Sequence, residues 1–149
     1  MVIIININYK AYKYYMDNKV YFGDLEIKIN DKAEKEYWLF TNQGSIKVNK
    51  DKLCKCVNIK DKNNNYIYEH DIIDIIMEEN ENNSKRNYQF IVKFGETEIY
   101  FNGEDPIYLN GLYLQDFEGK SYLFSKNLVD NSEYISIEGN TIENNLINL

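Results

Sequence analysis

Val57-Asn58-Ile59-Lys60-Asp61-Lys62-Asn63-Asn64-Asn65-Tyr66-Ile67-Tyr68-Glu69-His70-Asp71-Ile72-Ile73 is the most distinctive segment of the chain. Its centre, residues 61–65, is built from Asp, Lys and Asn. Asp and Asn side chains bond nearby backbone N–H groups and tolerate left-handed backbone, so the run makes a tight turn. Asn64 sits where positive φ is needed, and Asn adopts it more readily than most residues. Apolar and aromatic residues flank the turn on both sides, so the whole reads as two antiparallel strands joined by a hairpin. In this reading Tyr68 and Ile72 point inward, and Glu69, Asp71 and Asp74 line a wet edge.

Outward from the hairpin the dominant period is two. Ile3-Ile5-Ile7-Tyr9-Ala11, Leu25-Ile27-Ile29 and Phe90-Val92-Phe94 each skip one residue. Turn residues recur between such runs, at Asp17-Asn18, Asn30-Asp31, Asn42-Gln43-Gly44, Asn102-Gly103, Asn110-Gly111, Glu118-Gly119 and Gly139-Asn140. Alternation punctuated in this way predicts antiparallel strands in hairpins and meanders. Helix signals are few: short pieces are expected over residues 32–40, 124–131 and 144–149. The polar stretch 79–87 reads as a hairpin loop, since strand patterning resumes at Tyr88. The expected fold is a single mostly-β domain over residues 1–149, a curled antiparallel sheet or SH3-like barrel with one to three short helices. Residues 17–55 are a diverged or inserted part of it.

The 149 residues carry a net charge of −7. Asn (22), Ile (20), Lys (16) and Tyr (14) make up nearly half the chain, the mark of AT-rich codons. The charge is uneven. Residues 1–62 hold 12 Lys against 8 acidic residues, whereas residues 63–149 hold 5 basic against 16 acidic, a net of −11. Two runs concentrate the acid without any Lys or Arg: residues 69–81 and 96–118. The first gives the candidate partner-binding face Glu69, Asp71, Asp74, Glu78, Glu79 and Glu81. His70, Glu96, Glu98, Glu104 and Asp105 are secondary candidates. Such a face repels nucleic acid, whose binding depends on cations at phosphates, and fits a basic partner.

Other classes are disfavoured. No apolar run approaches the roughly 20 residues of a membrane helix. The first residues are too short a run for a signal-peptide core, so an intracellular location is expected. Cys54 and Cys56 form a lone pair, too few for a disulfide framework. With His70 they fall short of the about four ligands of a structural zinc site. Catalysis needs groups tuned against each other, and one His, two Cys and seven scattered Gly supply neither a triad nor a phosphate-cradling loop. No catalytic residue, metal or cofactor is expected.

The central hairpin also resembles the signature of the YopX family, small proteins of phages and prophages. There a strand leads into Lys-Asp-Lys-Asn-Gly, and a second strand follows with Ile-Tyr-Glu-Gly-Asp-Ile-Val. Ile59 to Asn63, Ile67 to Glu69, Asp71 and Ile72 match, with Asn64 and His70 at the two glycines. Asn8-Tyr9-Lys10-Ala11-Tyr12 is similar to the family's N-terminal aromatic-Arg-Ala-Trp strand. Residues 136–145, Ser-Ile-Glu-Gly-Asn-Thr-Ile-Glu-Asn-Asn, are similar to its closing Ile-Gly-Asn-Ile-Tyr-Glu-Asn-Pro.

The resemblance implies a phage or prophage accessory protein, in the cytoplasm of a bacterial host cell. Together with the acidic, Tyr- and Asn-rich composition, it leads to the expectation of a non-catalytic inhibitor or modulator of a host protein. A defence effector with a basic nucleic-acid channel, such as a CRISPR effector, is the kind of partner that fits. Two other readings stay open. One is a nucleic-acid-binding barrel using the basic first part and stacking from Tyr12, Tyr14, Tyr15 and Trp38. The other is a small-ligand or oligomeric scaffold.

Overall fold

The structure is a computed structural model that describes residues 2–12, 20–79, 84–124 and 134–142. Eleven strands follow one another: β1 (Val2–Tyr12), β2 (Val20–Ile29), β3 (Lys35–Thr41), β4 (Gly44–Val48), β5 (Leu53–Lys60), β6 (Tyr66–Tyr68), β7 (Asp71–Glu79), β8 (Ser84–Ile99), β9 (Ile107–Gln115), β10 (Ser121–Leu123) and β11 (Ile135–Asn140). A 3-10 turn, Lys50–Lys52, precedes β5. The strands pair antiparallel in the orders β4-β3-β2-β1-β5-β6 and β10-β9-β8-β7-β11, and neither sheet closes into a barrel. The mostly-β reading is therefore right, in its open-sheet form. By contacts the chain divides into two compact units, Met1–Cys56 with Ile142–Leu149, and Val57–Thr141.

In the first unit β2, β3 and β4 form a meander whose rows alternate in character. Leu25, Leu39 and Ile46 are directly opposed, and Leu25 and Leu39 are buried. The opposite face carries the row Glu26, Trp38 and Lys47. There Trp38 Nε1 donates to Glu36 at 3.4 Å, Lys47 Nζ donates to Glu36 at 3.1 Å, and Lys28 Nζ sits 4.2 Å from the Trp38 ring. The helix expected over residues 32–40 does not form. Asn30 Oδ1 accepts from the N–H groups of Lys32 and Glu34, both at 3.0 Å, and Ala33 takes φ +60. The left-handed Ala33 and the Asn30 N–H, which donates to the Glu34 carbonyl at 3.0 Å, close a hairpin turn in place of a helical one. The aromatic run beyond it, Tyr37 to Phe40, then pairs on both sides as a strand.

In the second unit Ile67, Ile73, Ile75, Val92, Leu114 and Ile135 form the core, each at most 1% exposed. Each contributes about 1.5–3 kcal/mol of burial. Ile73 and Ile75 are on one face of β7 and Ile72 is on the other, so the inward residue is Ile73 and not the expected Ile72. A shift of one residue exchanges the faces of a strand. Asp71 shares the buried face with Ile73 and Ile75. The polar stretch 79–87 is mostly strand, since β8 begins at Ser84 and pairs with β7 from Glu79↔Ser84 to Ile72↔Ile91. Residues 80–83 lie outside the described residues. So do the helix expected over 144–149 and, beyond Phe124, that expected over 124–131.

Candidate functional site

The signature residues of the central hairpin are occupied in holding the second unit together. Asp61 is 5% exposed; its Oδ1 accepts from Asn63 and Asn65 N–H at 3.0 Å, closing the turn. Its Oδ2 accepts from Ile137 N–H of β11 at 3.1 Å. Asn64 adopts φ +66, as its place in the turn requires. The next turn follows the same plan. His70 takes φ +71, its N–H donates to the Val92 carbonyl at 2.7 Å, and its carbonyl accepts from Thr141 N–H at 2.9 Å. His is thus accommodated in a left-handed position that suits glycine.

Asp71 belongs to this framework and not to a surface. It is 1% exposed, with Oδ2 accepting from Tyr68 N–H at 2.7 Å and Oδ1 from Asn140 Nδ2 at 2.8 Å. Its expected place on a wet acidic face is therefore corrected: a buried carboxylate with these donors is retained as a backbone cap. Asp74, on the opposite face of β7, is half-buried; its Oδ1 is buried and has no hydrogen-bond partner among the described residues. Glu69 and His70 are half-buried side by side, with His70 Nε2 3.8 Å from Glu69 Oε2. Glu78 and Glu79 end β7. Glu81 lies outside the described residues.

The secondary carboxylates lie together. The second half of β8 pairs with β9 from Ile91↔Gln115 to Ile99↔Ile107, forming an arm that ends in the loop 100–106. Gly95 and Gly111 face each other on one rung, at φ +135 and +156, where residues with a side chain are strained. The arm folds back at this rung. Ser121 is opposite Gln115, which is opposite Ile91, so Thr97 lies six residues beyond that row. On a straight ribbon six residues span about 20 Å. Yet the Thr97 and Ser121 hydroxyls are 2.6 Å apart. Thr97, Ile99 and Tyr113 share the inner side of the bend, and Ile99 and Tyr113 are buried.

The outer side holds Glu96 opposite Asn110 and Glu98 opposite Tyr108, with Tyr100 following. Tyr108 is 77% exposed, and Tyr100 and Phe101 are exposed beyond it. Glu104 and Asp105 are exposed in the loop. An open cleft of about 450 Å³ is lined by Glu96, Thr97, Glu98, Tyr108, Leu109 and Asn110. Glu98 organises the surface. It accepts the Tyr100 hydroxyl and bonds that of Tyr108, and these bonds hold both phenols above their ordinary value. A carboxylate flanked by two tyrosines next to a second carboxylate can receive a cation at its oxygens and the cation's stem on the rings. No Lys, Arg or His occurs between residues 94 and 119 to neutralise it from within that run.

Tyr100 and Tyr108 were not singled out by the alternation, and Asn110-Gly111, expected as a turn, lies inside β9. Gly95 and Gly111, each interrupting a strand pattern, are the signal of a bend there. Elsewhere the candidates recede. Cys54 and Cys56 are both buried. One face of the Trp38 ring is taken by Lys28, while Tyr14 and Tyr15 lie outside the described residues. Among the described residues no group of three His, Cys, Asp or Glu is placed to hold a metal ion, and no helix is long and apolar enough to cross a membrane. No family model matches the chain, and no curated protein matches it.

Proposed function

We propose that this chain is a phage- or prophage-derived accessory protein that acts by binding a basic host protein, as a non-catalytic inhibitor or modulator, through the outer side of the β8–β9 arm. The observation that carries the reading is the concentration on this arm and its loop of Glu96, Glu98, Glu104 and Asp105 among exposed Tyr100, Phe101 and Tyr108. Exposed aromatics supply contact area at low entropic cost, and an unneutralised set of carboxylates steers a basic surface toward them. The second unit as a whole holds 16 acidic against 7 basic residues, which adds to that steering. A partner with a basic nucleic-acid channel has the matching charge. The phage origin rests on the residues shared with the YopX signature.

The test is capture of partners from a bacterial host with the native chain and with a variant carrying Glu96→Lys, Glu98→Lys, Glu104→Lys and Asp105→Lys. All four residues are on or next to the exposed side of the arm, so the variant is expected to melt like the native chain and to lose the partner. A partner retained by the folded variant overturns the arm as the interface. Reversal at Glu69 alone, in the β6–β7 turn, is expected to leave capture unchanged.

A further inference from the structure

We infer that the arm receives an extended, arginine-bearing segment of its partner by strand addition to the free edge of β9; the inference rests on the binding function just proposed. Three observations converge on it. First, β10 pairs with β9 only from Tyr113 to Gln115, and among the described residues no strand pairs with the outer edge of β9 over residues 107–112. That edge reads Ile107-Tyr108-Leu109-Asn110-Gly111-Leu112, with no charged residue to guard it. Unguarded edges are templates for another strand.

Second, Glu96 and Glu98 stand two residues apart on the outer side. Their spacing along β8 is the two-residue repeat of any strand, about 7 Å. An added strand presents its own alternate side chains to the same side at the same interval. Two arginines in an Arg-x-Arg pattern can therefore reach across Tyr108 and Asn110 to the two carboxylates. Arginine suits the place better than lysine, because its planar guanidinium stacks on tyrosine and forks to a carboxylate.

Third, charge selects the occupant. A second copy of this chain pairing edge to edge would bring together two arms that each carry Glu96, Glu98, Glu104 and Asp105, and their like-signed fields oppose that approach at low salt. A basic segment turns the same groups into attraction.

The experiment uses the full chain and an eight-residue peptide alternating Arg and Ser, with an alternating Glu and Ser peptide as control, by calorimetry and amide hydrogen exchange at low salt. The Arg peptide is expected to bind and the Glu peptide not to. Glu96→Gln and Glu98→Gln are each expected to weaken binding about tenfold. Amides of residues 107–112 are expected to gain protection in the complex. Glu96→Gln keeps the test valid should Glu98→Gln disturb the arm, since Glu96 is exposed. Unchanged affinity in both variants overturns the inference, as does protection at another strand edge or an Arg peptide that does not bind. The two proposals fail separately. If the four-lysine variant loses the host partner while the Arg peptide does not bind the native chain, the strand-addition mode is wrong and the binding function stands. If that variant keeps the partner, the binding function through the arm falls whatever the peptide does.

Discussion

At Asp71 a carboxylate is enclosed in the second unit and holds the Tyr68 N–H and the Asn140 amide at 2.7 and 2.8 Å. Asp71→Ala removes both acceptors from buried donors. It is expected to lower stability by about 2–4 kcal/mol, read as a fall in the urea midpoint. Asn140→Ala removes one of the two donors to Asp71 and is expected to cost about half as much. Glu98 acts in the opposite setting, at the surface, and its effect is read by titration. Its bonds hold Tyr100 and Tyr108 above their ordinary value, so the folded state grips those protons more tightly than the unfolded state. The resulting stability is present below about pH 10 and is lost as pH rises through the folded values. In Glu98→Gln the phenolate absorbance of both tyrosines is expected to appear at lower pH than in the native chain. Asp116 has the converse sign. The Lys120 N–H, and behind it the Tyr122 hydroxyl and the Glu118 N–H, hold it below the usual carboxylate range. Its contribution is present above that range and lost as pH falls through the folded value. The turn at Asp61 was legible in the sequence because Asp and Asn carry their own turn chemistry. The inward place of Asp71 was not, because its two donors come from Tyr68 and from Asn140, the latter 69 residues away.

At the scale of elements, two glycines do different work. At Gly23 a Cβ would lie 2.0 Å from the Phe40 carbonyl oxygen, so β2 and β3 approach as closely as they do only without a side chain. At Gly95 nothing lies within 4 Å of a built Cβ, and the demand is conformational, φ +135. Gly23→Ala is therefore expected to push two paired strands apart and destabilise the first unit by about 3 kcal/mol or more. Gly95→Ala is expected to cost about 1–3 kcal/mol and to act locally. Its signature is faster amide exchange in the arm, at residues 96–110, while the core strands β7 and β11 keep their protection. Strand identity was legible where alternation is long, as in β2 and β8. It failed at β3, where Lys, Ala, Glu and Lys over residues 32–35 favour helix and the partners β2 and β4 override them. The phase of β7 was not legible either. A period of two carried across the turn at Glu69 and His70 does not say which residue faces in. The fold-back of the arm depends on Gly95 meeting Gly111, a pairing that no local pattern announces.

Across the molecule the charge divides with the contacts. The first unit holds 10 basic and 8 acidic residues, the second 7 and 16, so a near-neutral body is joined to one of net −9. The sequence placed this division at residue 62 and the contacts place it at Cys56, close enough that the acidic part was legible before the fold was. Its composition did not say which carboxylates are free. Asp61 and Asp71 are internal caps, whereas Glu96, Glu104 and Asp105 face solvent. Only the free ones contribute a field that reaches a partner, and salt screens that field over about 8 Å at physiological ionic strength. Association with a basic partner is therefore expected to slow by about tenfold or more between low and high salt, while dissociation changes less. Measured as association rates over a salt series, the native chain should give a steep slope. The four-lysine arm variant should give a flat or reversed one, and Asp116→Asn, a charge removed outside the arm, only a slightly shallower one. Equal slopes for the native chain and the arm variant would mean that the acidic charge of the second unit is solvation alone.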